Sequence, residues 1–306
     1  MNFKYTTKMS IKMKNILLLT MGLVLFYTGF AQQGKVLEGK VVKSVILGRE
    51  VKYSIYLPAD YESSARKYPV VYLLHGYSDN ETAWVQFGAV NKAADQLTAS
   101  GEINPVIIAM PDGGVSWYIN DSEGKNKYMD FFQKEFIPAI EKEYKARSSA
   151  EYRAIAGLSM GGYGSLIHSL KYPSMFSACA ALSAAVWSNE EVKTLPKERY
   201  TKLFSKIYGA NSEAEGDDRL SKHWKEHSVI DLVKTLPSDS LKKVRLYIDC
   251  GDDDFLTVGN MSLHIALKEK NIKHEFRMRD GYHNWDYWRS GIYDALRFIA
   301  KGFDRR

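Results

Sequence analysis

The chain has 306 residues, a formal net charge of +6 and 45% hydrophobic residues, enough apolar material for one large domain or two small ones. It carries no low-complexity tract and no internal repeat, which sets aside fibrous, repeat and disordered architectures. Lys4, Lys8, Lys12 and Lys14 precede every acidic residue; 42 basic residues less these four leave 38 against 36 acidic ones, a net of +2, so the basic pI argues for neither a nucleic acid nor an anionic membrane as partner.

The same four lysines lead into an apolar run at 16–26, followed by small residues at 28–31. This is the layout of a secretory signal peptide (1–31) cut near Ala31, with Met9 or Met13 as alternative starts; an uncleaved N-terminal anchor is the competing reading. The run is short for a membrane span and no stop-transfer pattern follows it. The expectation is an exported, periplasmic or secreted protein with no stable membrane span in its mature form, and with residues 32–306 as a single domain.

Residues 35–47 and 50–57 alternate apolar and polar side chains and predict an antiparallel pair of half-buried strands. Short, largely apolar runs at 69–74, 105–110, 152–156, 176–182 and 244–250 predict central strands covered on both faces. Between them, 128–144 places Phe131, Phe132, Phe136, Ile137 and Ile140 on one helical face in spite of Pro138. Helices are predicted at 162–170, 260–270 and 285–300, with a last strand at 273–278. Strands alternating with helices imply an α/β protein with a mainly parallel, doubly wound sheet and helices on both faces.

Residues 187–243 break this rhythm. They are polar and rich in Lys and Glu, show no strand pattern, and fall between two sheet strands. They read either as a cap-like insertion above the C-terminal edge of the sheet, where such sheets bind ligands, or as a plain surface excursion. Cys179 and Cys250 fall in apolar strand runs and read as buried free thiols, in no metal-ligand spacing.

The chemistry centres on Gly157-Leu-Ser159-Met-Gly161, a G-x-S-x-G match set between a predicted strand and a predicted helix. The glycines permit a sharp turn and close approach of helix to strand. The turn puts Ser159 near a helix N-terminus, which favours developing negative charge. A serine hydroxyl needs a base. In the order serine, acid, histidine, the base comes last, and His283 lies after the last strand and before the last helix. His168, His223, His227, His264 and His274 lie inside predicted elements or in the insertion and read as surface or packing residues. The acid is expected after the preceding strand, where Asp252, Asp253 and Asp254 are adjacent; residue chemistry alone does not choose among them. A backbone oxyanion hole is expected from the N–H groups of Tyr77, which follows His75-Gly76 at the end of the first central strand, and of Met160. His75 reads as a loop-holding residue.

Five motifs carry a resemblance from about Tyr53 onward: Leu74-His-Gly-Tyr-Ser-Asp-Asn-Glu-Thr-Ala-Trp84, Pro111-Asp-Gly-Gly-Val-Ser-Trp-Tyr118, Gly157-Leu-Ser-Met-Gly-Gly162, Gly251-Asp-Asp-Asp-Phe-Leu256, and Gly281-Tyr-His-Asn-Trp285 with Trp288. With them the chain resembles the esterase D branch of the α/β-hydrolases, and within it the feruloyl and acetylxylan esterases; mycobacterial mycolyltransferases and formylglutathione hydrolases are more distant relatives. The resemblance implies Asp254 as the acid, Ser159 as the nucleophile of an acyl-enzyme, and His283 as base and then acid. It implies no metal and no organic cofactor. The expected function is hydrolysis of feruloyl (hydroxycinnamoyl) esters of plant cell-wall saccharides, with acetylxylan or general short-chain esters as the alternative and acyl transfer as the other class. The expected partners are hydroxycinnamoylated or acetylated hemicellulose saccharides, with Trp117, Tyr118 and Trp285 as substrate contacts.

Overall fold

The computed structural model describes residues 33–209 and 211–303; the expected signal peptide lies outside them. Eight strands form one sheet in the order β1-β2-β4-β3-β5-β6-β7-β8. They are β1 (Lys35–Ser44), β2 (Arg49–Leu57), β3 (Val70–Leu74), β4 (Ile107–Pro111), β5 (Arg153–Leu158), β6 (Ala178–Leu182), β7 (Arg245–Gly251) and β8 (His274–Arg279). β1 and β2 pair antiparallel, and β2 runs antiparallel to β4. All pairings from β4 to β8 are parallel. The sheet is therefore mainly parallel and doubly wound, as its apolar runs predict.

Every residue of β3, β4 and β6 is buried. The two-residue period of a strand divides β3 between two cores. Val70, Tyr72 and Leu74 join the cluster that includes Phe132, Phe136 and Leu166. Val71 and Leu73 join the one that includes Leu97, Leu296 and Phe303. The latter face is closed by α1 (Val90–Ala99) and the C-terminal helix α5 (Trp285–Phe303). The other is closed by α2 (128–143), α3 (Met160–Lys171) and α4 (Thr257–Glu269). α2 is built from Tyr128–Phe131, a π-type turn Phe132–Phe136, and Ile137–Glu143. Pro138 explains the widened turn: it has no N–H to donate and its ring crowds the carbonyl four residues back.

Between β6 and β7 the described residues form short helices and no strand. Their ends are set locally. Ser188 makes a reciprocal capping box with Glu191, and Ser221 and Ser228 accept from the N–H groups of Trp224 and Asp231. The buried Arg219 guanidinium donates to the carbonyls of Val192, Lys193, Leu195 and Ala214, tying one helix end to the following loop. Phe204, Tyr208 and Trp224 pack edge-on or tilted at 5.0 to 5.8 Å and continue into the main core, Phe204 against Trp117 at 5.1 Å and the Tyr208 hydroxyl donating to that of Tyr163 at 2.8 Å. Among the described residues no helix is long and apolar enough to cross a membrane.

Candidate active site

β5 ends at Leu158 and α3 begins at Met160, so Ser159 occupies the turn between them with φ 53° and ψ −119°. A non-glycine residue held there costs on the order of 1–3 kcal/mol. The surroundings enforce it. The Ser159 N–H donates to the Leu182 carbonyl at 2.9 Å, and its own carbonyl accepts from Ala185 and Tyr163. The flanking glycines follow from contact: a Cβ on Gly161 would collide with the carbonyl oxygens of Leu74 and His75, and one on Gly157 with the backbone of Gly161.

Two loops at the same edge of the sheet complete the arrangement, one after β7 and one after β8. His283 Nε2 lies 2.9 Å from Ser159 Oγ, and His283 Nδ1 lies 2.8 Å from Asp254 Oδ2. An ionised carboxylate only accepts, so Nδ1 carries the imidazole proton and the bare Nε2 accepts from the serine hydroxyl. The Asp254 side chain is wholly buried and its Oδ1 also accepts from the Leu256 N–H at 2.9 Å, whereas His283 keeps 18% of its side chain exposed.

The three adjacent aspartates are thus told apart. Asp252 Oδ1 accepts from the Gly281 N–H, and the Asp252 and Asp253 N–H groups donate to the carbonyls of Arg279 and Gly281. Those two residues stitch the acid loop to the histidine loop, and only Asp254 faces the imidazole.

Beneath the histidine loop sits a residue with no sequence signal of its own. Asp249, fully buried near the end of β7, accepts from Arg279 Nε and Nη2 at 3.0 and 3.1 Å and from the hydroxyls of Tyr247 and Tyr287. Arg279 precedes His283 and Tyr287 follows it, so one carboxylate anchors both ends of that loop.

His75 is buried and holds the loop after β3. Its Nε2 accepts from the Gly113 N–H at 2.8 Å, which leaves Nδ1 to donate to the Gly76 carbonyl at 2.7 Å. The other histidines serve packing and local bonds. Burial lowers His168 to about 4, and its ring bonds Tyr118 O and Gln133. His264 and His274 pair with each other.

A cavity of about 550 Å³ opens at Ser159, within the usual size range of small-molecule sites. Gly76, Tyr77 and Met160 line it beside Ser159 and His283. Met160 opens α3, so its N–H has no acceptor within the helix. Trp117 and Trp285 line the cavity; Trp285 packs edge-on to Trp84 and Trp288, and Trp288 packs edge-on to His283 at 4.8 Å.

Tyr118 requires a correction. It is fully buried and does not line the cavity; its hydroxyl accepts from the His75 N–H at 2.9 Å and donates to the His75 carbonyl at 3.1 Å. Trp117 and Tyr118 both have left-handed backbones (φ 55° and 57°), and this bend sends the two rings to different neighbours. Sequence reading missed Arg199, Lys202, Leu203 and Phe255 as cavity-lining residues. The first three come from the insertion, far from any motif.

Two groups of side chains could hold a cation among the described residues: Asp252, Asp253 and Asp280, and His223, Glu226 and His227. In the first, Asp252 is already bonded to Gly281. In the second, Lys171 Nζ stands 3.0 Å from His227 Nε2, a positive charge where a metal would need the lone pair. Both Cys179 and Cys250 are buried free thiols, pushed up to about 12 by desolvation.

The family model for putative esterases matches residues 44–299. The chain belongs to the putative esterase family. An acetyl esterase of Caldicellulosiruptor saccharolyticus is 28% identical to this esterase over 239 residues, 76% of this chain and 84% of that one. An endo-1,4-beta-xylanase/feruloyl esterase of Xylanibacter ruminicola is 34% identical over 160 residues, half of this chain and 22% of that protein. A solved ferulic acid esterase superposes with a TM-score of 0.75 at 32% identity, covering 89% of this chain and all of the other. The esterase is an esterase D-like α/β-hydrolase that resembles feruloyl esterases, and its class of chemistry is carboxylic ester hydrolysis.

Proposed function

We propose that the protein is an exported serine carboxylesterase that cleaves feruloyl esters of plant cell-wall saccharides through an acyl-enzyme. The observation that carries the mechanism is the chain of two hydrogen bonds from Asp254 through His283 to Ser159, 2.8 and 2.9 Å long. Ser159 Oγ attacks the ester carbonyl carbon while His283 Nε2 takes its proton. The carbonyl oxygen becomes an oxyanion held by the N–H groups of Tyr77 and Met160. The C–O bond to the alcohol breaks as His283 returns the proton to the departing oxygen. Water then attacks the acyl-serine, again losing its proton to His283, and the acid is released as Ser159 is re-protonated. Asp254 holds the Nδ1–H tautomer and stabilises the imidazolium.

The substrate reading is supported by the feruloyl esterase relatives and by the indoles of Trp117 and Trp285 along the cavity, which offer faces and edges to a phenolic ring. Export is supported by the basic, apolar and small-residue order of residues 4–31. A second reading, short-chain acetyl ester hydrolysis, is favoured by the acetyl esterase relative, which matches 76% of the chain.

The test is kcat/KM of the protein on methyl ferulate beside an aryl acetate, with Ser159→Ala as the blank. A preference for ferulate that vanishes in the variant supports the proposal. Turnover of acetate alone moves the function to the second reading, and turnover that survives Ser159→Ala overturns the mechanism.

A further inference from the structure

The cavity carries positive charge that ester hydrolysis by these residues does not need. Arg199 and Lys202, both exposed and both from the insertion, line it opposite the strand ends. Among the described residues neither has a carboxylate within ion-pair distance. Their neighbours Lys193 and Lys197 are matched, Lys193 with Glu190 and Asp217 at 2.9 and 2.6 Å and Lys197 with Glu213. Among the described residues the one carboxylate lining the cavity is Asp79, beside Gly76, and burial raises its pKa above the ordinary value.

Arg199 is not a free surface cation. Its guanidinium lies 5.1 Å from the Trp187 ring and 4.9 Å from the Phe255 ring, and Phe255 lies 4.6 Å from the His283 ring. Two aromatic faces hold the charge in place. The steps of 4.6 and 4.9 Å keep it within a Debye length of the imidazole at 0.1 M salt, about 10 Å, so an anion at the reacting centre feels it, and less so as salt rises.

We propose that Arg199 and Lys202 form a subsite for a carboxylate on the alcohol part of the ester, so that the preferred substrates are acyl esters of acidic sugars. This rests on the carboxylesterase reading but on neither acyl group in particular. In an ester of a monocarboxylic acid the acid's own carboxylate is consumed in the bond. The negative charge must then reside on the alcohol, and among saccharides a uronic acid supplies it. Arginine suits this use because its planar fork pairs with a carboxylate through two parallel hydrogen bonds.

The experiment measures kcat/KM on four esters: feruloyl and acetyl esters of galactose and of galacturonic acid, at low and high salt. The expected result is a preference of about tenfold for the acidic sugar in whichever acyl series is turned over, shrinking toward one in high salt. In the Arg199→Gln/Lys202→Gln double variant the acidic-to-neutral ratio falls to about one. A ratio near one in the wild type, or a preference that survives the double variant, overturns the subsite. Loss of ferulate turnover with the acidic preference intact on acetyl esters overturns the feruloyl reading and leaves the subsite standing. If no ester is cleaved, calorimetric binding of galacturonate against galactose decides, and equal affinity overturns the proposal.

Discussion

Asp249 and the partly exposed Arg279 form an ion pair under the histidine loop. The carboxylate is fully buried, the guanidinium bonds it twice, and Tyr287 adds a third anchor from the first turn of α5. Removing one partner of a fully buried pair costs about 3–5 kcal/mol; water reaches Arg279 and makes the loss of Asp249 smaller than that, though it also strips the Tyr247 and Tyr287 hydroxyls of their acceptor. Asp249→Ala is therefore expected to lower the unfolding midpoint sharply, whereas Asp249→Asn, which still accepts hydrogen bonds, costs less. In Asp249→Asn the loss falls on kcat while KM holds, because the base moves and the cavity walls stay. Denaturant unfolding and steady-state kinetics on the same samples check both. A changed KM with an unchanged kcat contradicts the anchoring role.

The three aspartates of the acid loop are expected to differ in rate. Asp254→Asn gives the wrong imidazole tautomer and lowers kcat by about 10³–10⁴-fold. Asp252→Asn and Asp253→Asn lower it far less, since their contacts to the histidine loop run through backbone groups and one side-chain oxygen. The reverse ranking moves the acid.

Gly161→Ala is expected to give little or no folded protein. The added Cβ meets two backbone carbonyls, which have nowhere to retreat because they belong to the end of β3 and the loop behind it. Thermal unfolding of whatever is recovered measures the effect. A variant with wild-type stability shows that the strand end yields.

Stability is expected to fall as pH drops from about 6.5 toward 4. Burial holds His168 neutral and lowers it to about 4, and His227 is lowered by burial and by Lys171 to about 3. The unfolded chain takes up these protons near the ordinary histidine value of 6.5, so between 6.5 and the folded values it binds more protons than the native state, and acid favours unfolding. For His168 alone the loss below pH 4 is on the order of 3 kcal/mol. His168→Gln, which preserves an acceptor and a donor, flattens this acid limb in a plot of Tm against pH. An unchanged limb shows that His168 is protonated in the folded state.

The sheet was legible because its strands are apolar on both faces, and the elbow because its glycines sit between a strand and a helix. The order serine, acid, histidine then pointed to the two loops that the structure brings to Ser159. The choice of Asp254 was not legible from residue chemistry, since three identical side chains stand in a row; burial and the direction of one side chain decide it. α1 escaped because its buried face is Val90, Ala93, Ala94 and Leu97, helical in spacing but weak in apolar contrast, and it starts from Ala89 in a left-handed conformation rather than from a polar cap. Tyr118 misled because it lies beside a loop of the site in sequence, whereas successive left-handed residues turn its ring away from that of Trp117 and into the core. The insertion was legible as a possible cap over the sheet edge, but which of its residues face the cavity was not, because nothing in sequence ties residues 199–203 to a serine forty positions earlier.

The way the insertion is seated has a consequence for how such an enzyme changes its diet. The segment caps its own helices, enters and leaves through neighbouring strands and packs its aromatic residues on Trp117 and Tyr163, while Ser159, His283 and Asp254 hang from the sheet. Substitutions at its exposed cavity-lining positions, Arg199 and Lys202, change one wall of the cavity and its charge and leave Ser159, His283 and Asp254 in place. Selectivity is thereby open to drift by single changes at that wall, whereas exchange of the whole segment between relatives has to carry its seats on Trp117 and Tyr163 with it.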